Sequence, residues 1–117
     1  DLSFFYDQNA LWNQCLGGNL RILLLNNGQG AIFSQLPGLG NSPVAGTMVA
    51  GRHSTSAKGI CCECDIEYMQ ATDQTQVEQG LSWLVDKDTL RSKLLEVVTT
   101  PEADTEAVDQ YYKLFIR

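Results

Sequence analysis

An α/β fold, with a parallel sheet carrying helices on both faces, is predicted by three observations. Short apolar runs alternate along the chain with longer segments of helical periodicity, as βαβ units require. The run at 20–25 is almost uninterrupted by polar residues, as expected of a strand covered on both faces. Clusters of glycine and asparagine separate the segments, marking the turns.

The elements follow in order. Asp7 can cap a first helix that places Leu11, Trp12, Cys15 and Leu16 on one face. Gly17, Gly18 and Asn19 end it, because glycine accepts the left-handed conformation of helix termini. The strand at 20–25 breaks at 26–30, where glycines permit a close backbone approach. Residues 36–53 hold two of the three prolines and read as a long surface loop. Ser54 or Thr55 can cap a second helix, with Ala57, Ile60, Cys61 and Cys64 at the i, i+3, i+4, i+7 spacing.

A short strand is expected at 66–69. Thr75 with Glu78 forms a capping box for a helix whose apolar stripe is Val77, Leu81, Leu84 and Val85. Another strand lies at 94–98. Thr100 and Pro101 open a last helix, with Val108, Tyr111, Tyr112 and Phe115 as its buried face. Three or four strands result, wound right-handed. Trp12 and Trp83 read as packing residues.

Composition narrows the function classes. The 117 residues suffice for one unit with a single core, and 44% apolar against 19% charged residues excludes a disordered chain. The net charge of −6, with its basic residues scattered, argues against nucleic acid as a partner. No run approaches a bilayer-spanning length, so no membrane insertion is expected. Cys61 and Cys64 form one C-x-x-C with no second pair, and His53 is the single histidine, so zinc is disfavoured. With no export signal, the four cysteines fit a reducing cytoplasm.

Chemistry gathers at two strand ends. Asp1 would sit at the carboxyl end of a strand that mostly precedes it, and Asn26-Asn27 ends the strand at 20–25. The crevice outside adjacent carboxyl ends of a parallel sheet is where ligands bind. A carboxylate and an amide there offer hard oxygens, and Mg²⁺ completes its shell with phosphate oxygens and water. Strand-end Asp and Asn are equally ordinary turn and cap residues, so spacing alone leaves both readings open.

The motifs add a resemblance. Thiamine diphosphate enzymes carry Gly-Asp-Gly and, further along, Asn-Asn. The SEPHCHC synthase branch replaces the first with Gly-Asp-Leu-Ser-Phe, followed by Tyr-Asp or His-Asp and Asn-Ala-Leu or Asn-Gly-Leu. This chain reads Asp1-Leu2-Ser3-Phe4, Tyr6-Asp7, Asn9-Ala10-Leu11 and Asn26-Asn27, then Ile32-Phe33 and Leu36-Pro37, and it resembles that branch strongly over residues 1–37. Gln29 and Ala31 depart from the glycine-rich run often seen after Asn-Asn, and the glycine before Asp1 is absent.

The resemblance implies that residues 1–117 are the carboxy-terminal portion of a thiamine diphosphate-binding domain, incomplete at its amino-terminal side. It implies thiamine diphosphate and Mg²⁺ (or Mn²⁺) as cofactors. The metal ligands would be Asp1, Asn27 and the backbone carbonyl of Gln29. Leu2 and Ser3 would lie against the diphosphate, and Ile32, Phe33 and Leu36 would wall the thiazolium and the substrate.

The implied reaction of menaquinone biosynthesis joins 2-oxoglutarate, with loss of CO₂, to isochorismate. The glutamate that activates the cofactor would belong to an amino-terminal domain across a dimer interface. The implied partners are therefore the chain's own amino-terminal domains and a second identical subunit. Glu63, Glu67 and Glu78 lie on helix or strand patterns and do not replace that glutamate, and His53 reads as a solvated or hydrogen-bonded loop residue. Two rivals remain: another thiamine-dependent decarboxylase or synthase, and a flavodoxin-like binding domain with a complete sheet. The segment reading predicts an exposed sheet edge and no activity by the chain alone.

Overall fold

The computed structural model describes residues 1–39, 41–87 and 89–116. Three strands, β1 (Arg21–Asn26), β2 (Glu67–Ala71) and β3 (Lys93–Val98), form one sheet in the order β1-β3-β2, with both pairings parallel. The helices are α1 (Leu2–Tyr6), α2 (Lys58–Glu63), α3 (Gln74–Val85) and α4 (Pro101–Lys113). The expected parallel α/β architecture is therefore present, as an open sheet with β1 and β2 at the edges of the described strands.

Register decides what each face carries. Leu23, Leu95 and Met69 are partners, as are Leu25, Val97 and Ala71, so these six side chains share one face. Leu24, Glu96 and Gln70 share the other, with Ile22, Leu94 and Tyr68. α3 covers the first face, where Ala71, Leu84, Leu95 and Val97 cluster with Val77 and Trp83. The opposite face packs Leu24 and Leu94 against Ala57, Cys61, Ile66 and Leu11, with Phe4 and Phe5 of α1 alongside. Helices thus lie on both faces, and β3 is buried throughout except at Val98. Among the described residues, no helix is long and apolar enough to cross a membrane.

The first helix differs from expectation. It runs over Leu2–Tyr6, capped by the Asp1 carboxylate; Asp7 closes it and precedes the next turn without a side-chain cap bond. A 3-10 turn at Gln8–Leu11 follows, leaving Trp12 86% exposed and Cys15 exposed. The earlier start brings the Phe4 and Phe5 rings onto the core, which hides more apolar surface than the Trp12 and Cys15 positions would.

The stretch 36–53 runs over the surface as expected but contains a π-helical turn at Ala45–Val49. Neither Ser54 nor Thr55 caps α2, whose amino end is Ala57 without a side-chain cap. Just before it, the Ser56 hydroxyl donates to Glu96 and the Thr55 carbonyl accepts from Asn26. The apolar positions Ala57, Ile60, Cys61 and Cys64 do face the core.

In α3 the cap is Asp73, two residues ahead of Thr75. Its Oδ1 accepts from the Gln76 amide at 2.8 Å, and Gln76 Oε1 accepts from the Thr72 amide at 2.8 Å. Val77 and Leu84 pack inward while Leu81 and Val85 are exposed. Gly80 explains the rotation: a Cβ built there would lie 2.6 Å from Leu95 Cδ1, so the helix sits down on the sheet through its glycine.

α4 begins as expected, with the Thr100 hydroxyl accepting from the Ala103 amide and Pro101 in the first turn. Its aromatic face is not buried, however. Tyr111 and Phe115 are 58% and 67% exposed, and Tyr112 is exposed with them. α4 packs against the 3-10 turn at Ala31–Gln35 beyond the strand ends, so no sheet face lies beneath those rings.

Gly80→Val would place a branched side chain against the buried Leu95. A loss of about 1–3 kcal/mol in unfolding free energy is expected from urea titration, without loss of secondary structure. An unchanged midpoint would mean that α3 does not sit on the sheet through Gly80.

Candidate functional site

All seven residues expected around the cofactor diphosphate and thiazolium, Ser3 among them, converge at the carboxyl end of β1. Asp1, Leu2, Asn27, Gln29, Ile32 and Phe33 line one cleft of about 830 Å³, roofed on its far side by Asp104, Val108 and Tyr112 of α4. Leu36 is exposed and is not among the lining residues. β1 delivers Asn26 and Asn27 to the sheet edge, and α1 delivers Asp1 as its own cap.

The Asp1 carboxylate is held from three directions. Oδ1 accepts from the Leu2 amide at 2.7 Å, and Oδ2 accepts from the Gly28 amide at 2.8 Å. His53 Nε2 lies 3.1 Å from the same Oδ2. The Thr55 amide donates to His53 Nδ1 at 3.0 Å, which makes Nδ1 the unprotonated nitrogen and Nε2–H the donor to Asp1. His53 is therefore bonded rather than solvated, and it faces the cleft's carboxylate. Gly28 takes φ +79°, in the left-handed region that glycine enters freely, and this turns its amide toward Asp1.

Asn27 is fixed at both ends of its amide. Its Nδ2 donates to Asp104 Oδ2 at 2.8 Å, and its Oδ1 accepts from the Gln29 amide at 3.2 Å. The Thr99 hydroxyl shares Asp104 Oδ2 at 2.8 Å. The Gln29 carbonyl accepts from the Ala31 amide at 3.1 Å, while its side-chain oxygen accepts from Arg52 Nε at 3.3 Å.

A carboxylate, an amide oxygen and a backbone carbonyl make a hard donor set with lone pairs to spare. The described lining of the cleft includes two carboxylates, Asp1 and Asp104, and no lysine or arginine. A diphosphate could be held there only with a cation that offsets the accumulated negative charge. On donor chemistry, the residues fit a diphosphate–Mg²⁺ group. Among the described residues, no three His, Cys, Asp or Glu side chains gather as a metal cage.

Sequence reasoning missed the polar network behind the site. Glu96 is fully buried at the centre of β3. The Tyr68 hydroxyl donates to its Oε1 at 2.5 Å and the Ser56 hydroxyl at 2.9 Å. Asn26 Nδ2 and the Ala57 amide donate to Oε2 at 2.9 and 3.2 Å. Asn26 Nδ2 also reaches the Thr55 carbonyl at 2.9 Å. The one signal in the sequence is an acidic residue inside the apolar run at 94–98.

These contacts set the local ionisation. Burial pushes the Glu96 carboxyl upward, but hydrogen bonds from Tyr68, Asn26, Ser56 and the Ala57 amide outweigh it and hold the group below the ordinary carboxylate range. Burial and the bond to Glu96 raise the Tyr68 phenol to about 12. Burial, with the Glu96 and Cys64 charges nearby, raises the Cys61 thiol to about 11. Cys61 therefore stays a protonated core thiol, unsuited to metal or redox work.

Curated proteins named 2-succinyl-5-enolpyruvyl-6-hydroxy-3-cyclohexene-1-carboxylate (SEPHCHC) synthase are similar to this chain over nearly its whole length. Those of Phocaeicola vulgatus and Bacteroides fragilis are 44% and 43% identical over 113 residues, 96% of this chain and 20% of each protein. That of Christiangramia forsetii is 36% identical over 112 residues, 96% of this chain and 19% of that protein. The chain thus spans about one fifth of the length of the curated relatives it matches. No family model matches it. The resemblance read from residues 1–37 extends through α4.

Tyr68 and Glu96 lead to opposite pH dependences. A phenol whose pKa is raised on folding contributes stability below about pH 10 that is lost as pH climbs toward about 12. A carboxylate whose pKa is lowered contributes stability above its unfolded value that is lost as pH falls through its folded one. Urea titrations from pH 9 to 12 should show Tyr68→Phe converging on the parent chain's stability as pH rises. A constant gap between the two would refute the raised pKa of the Tyr68 phenol.

Proposed function

We infer that this chain, matched over 96% of its length by SEPHCHC synthases, is the part of such an enzyme that grips the diphosphate and metal of thiamine diphosphate. The observation that carries the reading is the convergence of Asp1, Asn27 and Gln29 with the apolar Ile32 and Phe33 in one cleft without lysine or arginine. In this reading the Asp1 carboxylate, the Asn27 amide oxygen and the Gln29 carbonyl hold Mg²⁺ (or Mn²⁺). Leu2 and Ser3 lie against the diphosphate.

When bound, thiamine diphosphate supplies the electron sink that lets 2-oxoglutarate lose CO₂ and its remaining carbons join isochorismate. The chain's own residues orient and exclude. His53 Nε2–H and the Gly28 amide both meet Asp1 Oδ2 and so fix where the carboxylate points. Asp104 holds the Asn27 amide so that the side chain cannot swing out of the cleft. Ile32, Phe33 and Leu25 line the cleft with apolar surface that sheds water. The cofactor-activating glutamate and most of the groups that hold the substrate carboxylates belong, in this reading, to the rest of the longer protein and to a second subunit.

A direct test uses the full-length protein that contains this segment. Isochorismate consumption should require 2-oxoglutarate, thiamine diphosphate and Mg²⁺ together, and cease when any one is left out. Asp1→Ala and Asn27→Ala should each lower the rate by about 100-fold or more, with thiamine diphosphate binding weakened in parallel. CO₂ release from another 2-oxo acid without isochorismate loss would move the protein to a different thiamine-dependent reaction. Absence of any thiamine dependence would overturn the reading outright. The 117-residue chain alone should give no turnover, and turnover by it would contradict the assignment of the missing groups to other parts of the protein.

A further inference from the structure

Glu96 raises a question that packing does not answer. It is a fully buried charge on the central strand, and among the described residues no cationic side chain pairs with it. An apolar residue of similar volume would fill the space without the cost of stripping a carboxylate of water. The carboxylate is also saturated. Tyr68 and Ser56 occupy Oε1, while Asn26 and the Ala57 amide occupy Oε2, which uses the four lone-pair directions of the group. It has no capacity left to bind a ligand or accept a proton from one.

Its bonds do lead to the cleft, by two routes. Along the first, Glu96 and the Thr55 carbonyl fix both hydrogens of the Asn26 amide, which turns Asn26 Oδ1 toward the Gly28 amide at 3.1 Å. That same Gly28 amide donates to Asp1 Oδ2. Along the second, Glu96 anchors Ser56 and the Ala57 amide, and so fixes the segment that follows His53. The Thr55 amide sets the His53 ring, and His53 Nε2 meets the same Asp1 Oδ2. The His53 amide closes the loop by donating to the Gly28 carbonyl at 2.8 Å. Both donors to Asp1 Oδ2 are therefore carried by segments that Glu96 ties down.

We propose that Glu96 is a positioning residue for the Asp1–Asn27–Gln29 cation site: it fixes the 26–30 turn and the 53–57 segment, and through them aims the Asp1 carboxylate. This rests on the reading of that trio as the metal-holding set. Partners that orient metal ligands from behind typically contribute about 10–100-fold in metal affinity.

The experiment compares three variants of the full-length protein by Mg²⁺ titration in the presence of thiamine diphosphate, and by amide hydrogen exchange at Gly28 and His53. Glu96→Leu should weaken Mg²⁺ binding about tenfold or more and speed exchange at both amides. Glu96→Gln should restore most of both. Its Oε1 can still accept from Asn26 and Ala57, while the Tyr68 and Ser56 hydroxyls rotate to accept from its amide. Leu84→Ala, on the opposite face under α3, should lower the melting temperature while leaving affinity and the two amides unchanged. If Glu96→Leu does not fold, Asn26→Ala cuts the first route one step nearer the cleft and should give the same weakening.

Equal weakening by Leu84→Ala, or no change with Glu96→Leu, would overturn the proposal and reduce Glu96 to a structural residue. If the parent protein shows no Mg²⁺-dependent thiamine diphosphate binding, the cofactor reading fails instead. The exchange rates at Gly28 and His53 would then still decide whether Glu96 positions this loop.

Discussion

A carboxylate placed at the centre of a sheet must find hydrogen-bond donors, since leaving a charge buried and unsatisfied costs several kcal/mol. In this fold the donors for Glu96 come from three different segments: the end of β1, the residues leading into α2, and β2. Satisfying one side chain therefore fixes the ends of three segments relative to β3. The parallel register makes this workable, because Asn26, Glu96 and Tyr68 lie on the same face of the sheet. The missing side-chain cap on α2 follows from the same demand. Ser56, which could have served there, donates its hydroxyl to Glu96 and accepts from the Lys58 amide.

The cleft depends on that frame. Parallel strands point their carboxyl ends one way, so a crevice opens beyond β1 and β3 into which the 26–30 turn and α4 both project. Its lining sets the polar groups of Asp1, Asn27 and Asp104 beside the apolar side chains of Leu2, Leu25, Ile32, Phe33 and Val108. Such a mixture of a few polar groups on an apolar wall is what a small-molecule ligand requires. The two carboxylates in its lining, with no basic residue among the described lining, make a divalent cation the natural partner of any phosphate that enters.

The exposed rings of α4 and the exposed Leu23 and Leu25 on the edge strand belong to the same picture. These side chains have the character of core residues and the accessibility of surface ones. The chain spans about one fifth of the length of the synthases it resembles. Apolar positions chosen for packing in a longer protein would read in sequence as core wherever the packing partner lies.

That contrast marks what each level of description could reach. The sequence alone determined the parallel α/β class, all three strands to within two residues at either end, the start of α4 at Pro101, and the polar clusters at Asp1 and Asn26-Asn27. These are local signals: periodicity, turn residues and short motifs are written over a few consecutive positions. The sequence misjudged the first helix, because Asp1 and Asp7 are equally good caps and only the burial of Phe4 and Phe5 favours one of them. It misplaced the inward side of α3, because the deciding contact is a glycine set against Leu95. It gave no warning that His53 would meet Asp1 across 52 residues, or that Glu96 would gather Tyr68, Ser56 and Asn26 from 28, 40 and 70 residues away. Those pairings depend on sheet order and crossover geometry, which bring distant residues together through packing and leave no periodic trace along the chain.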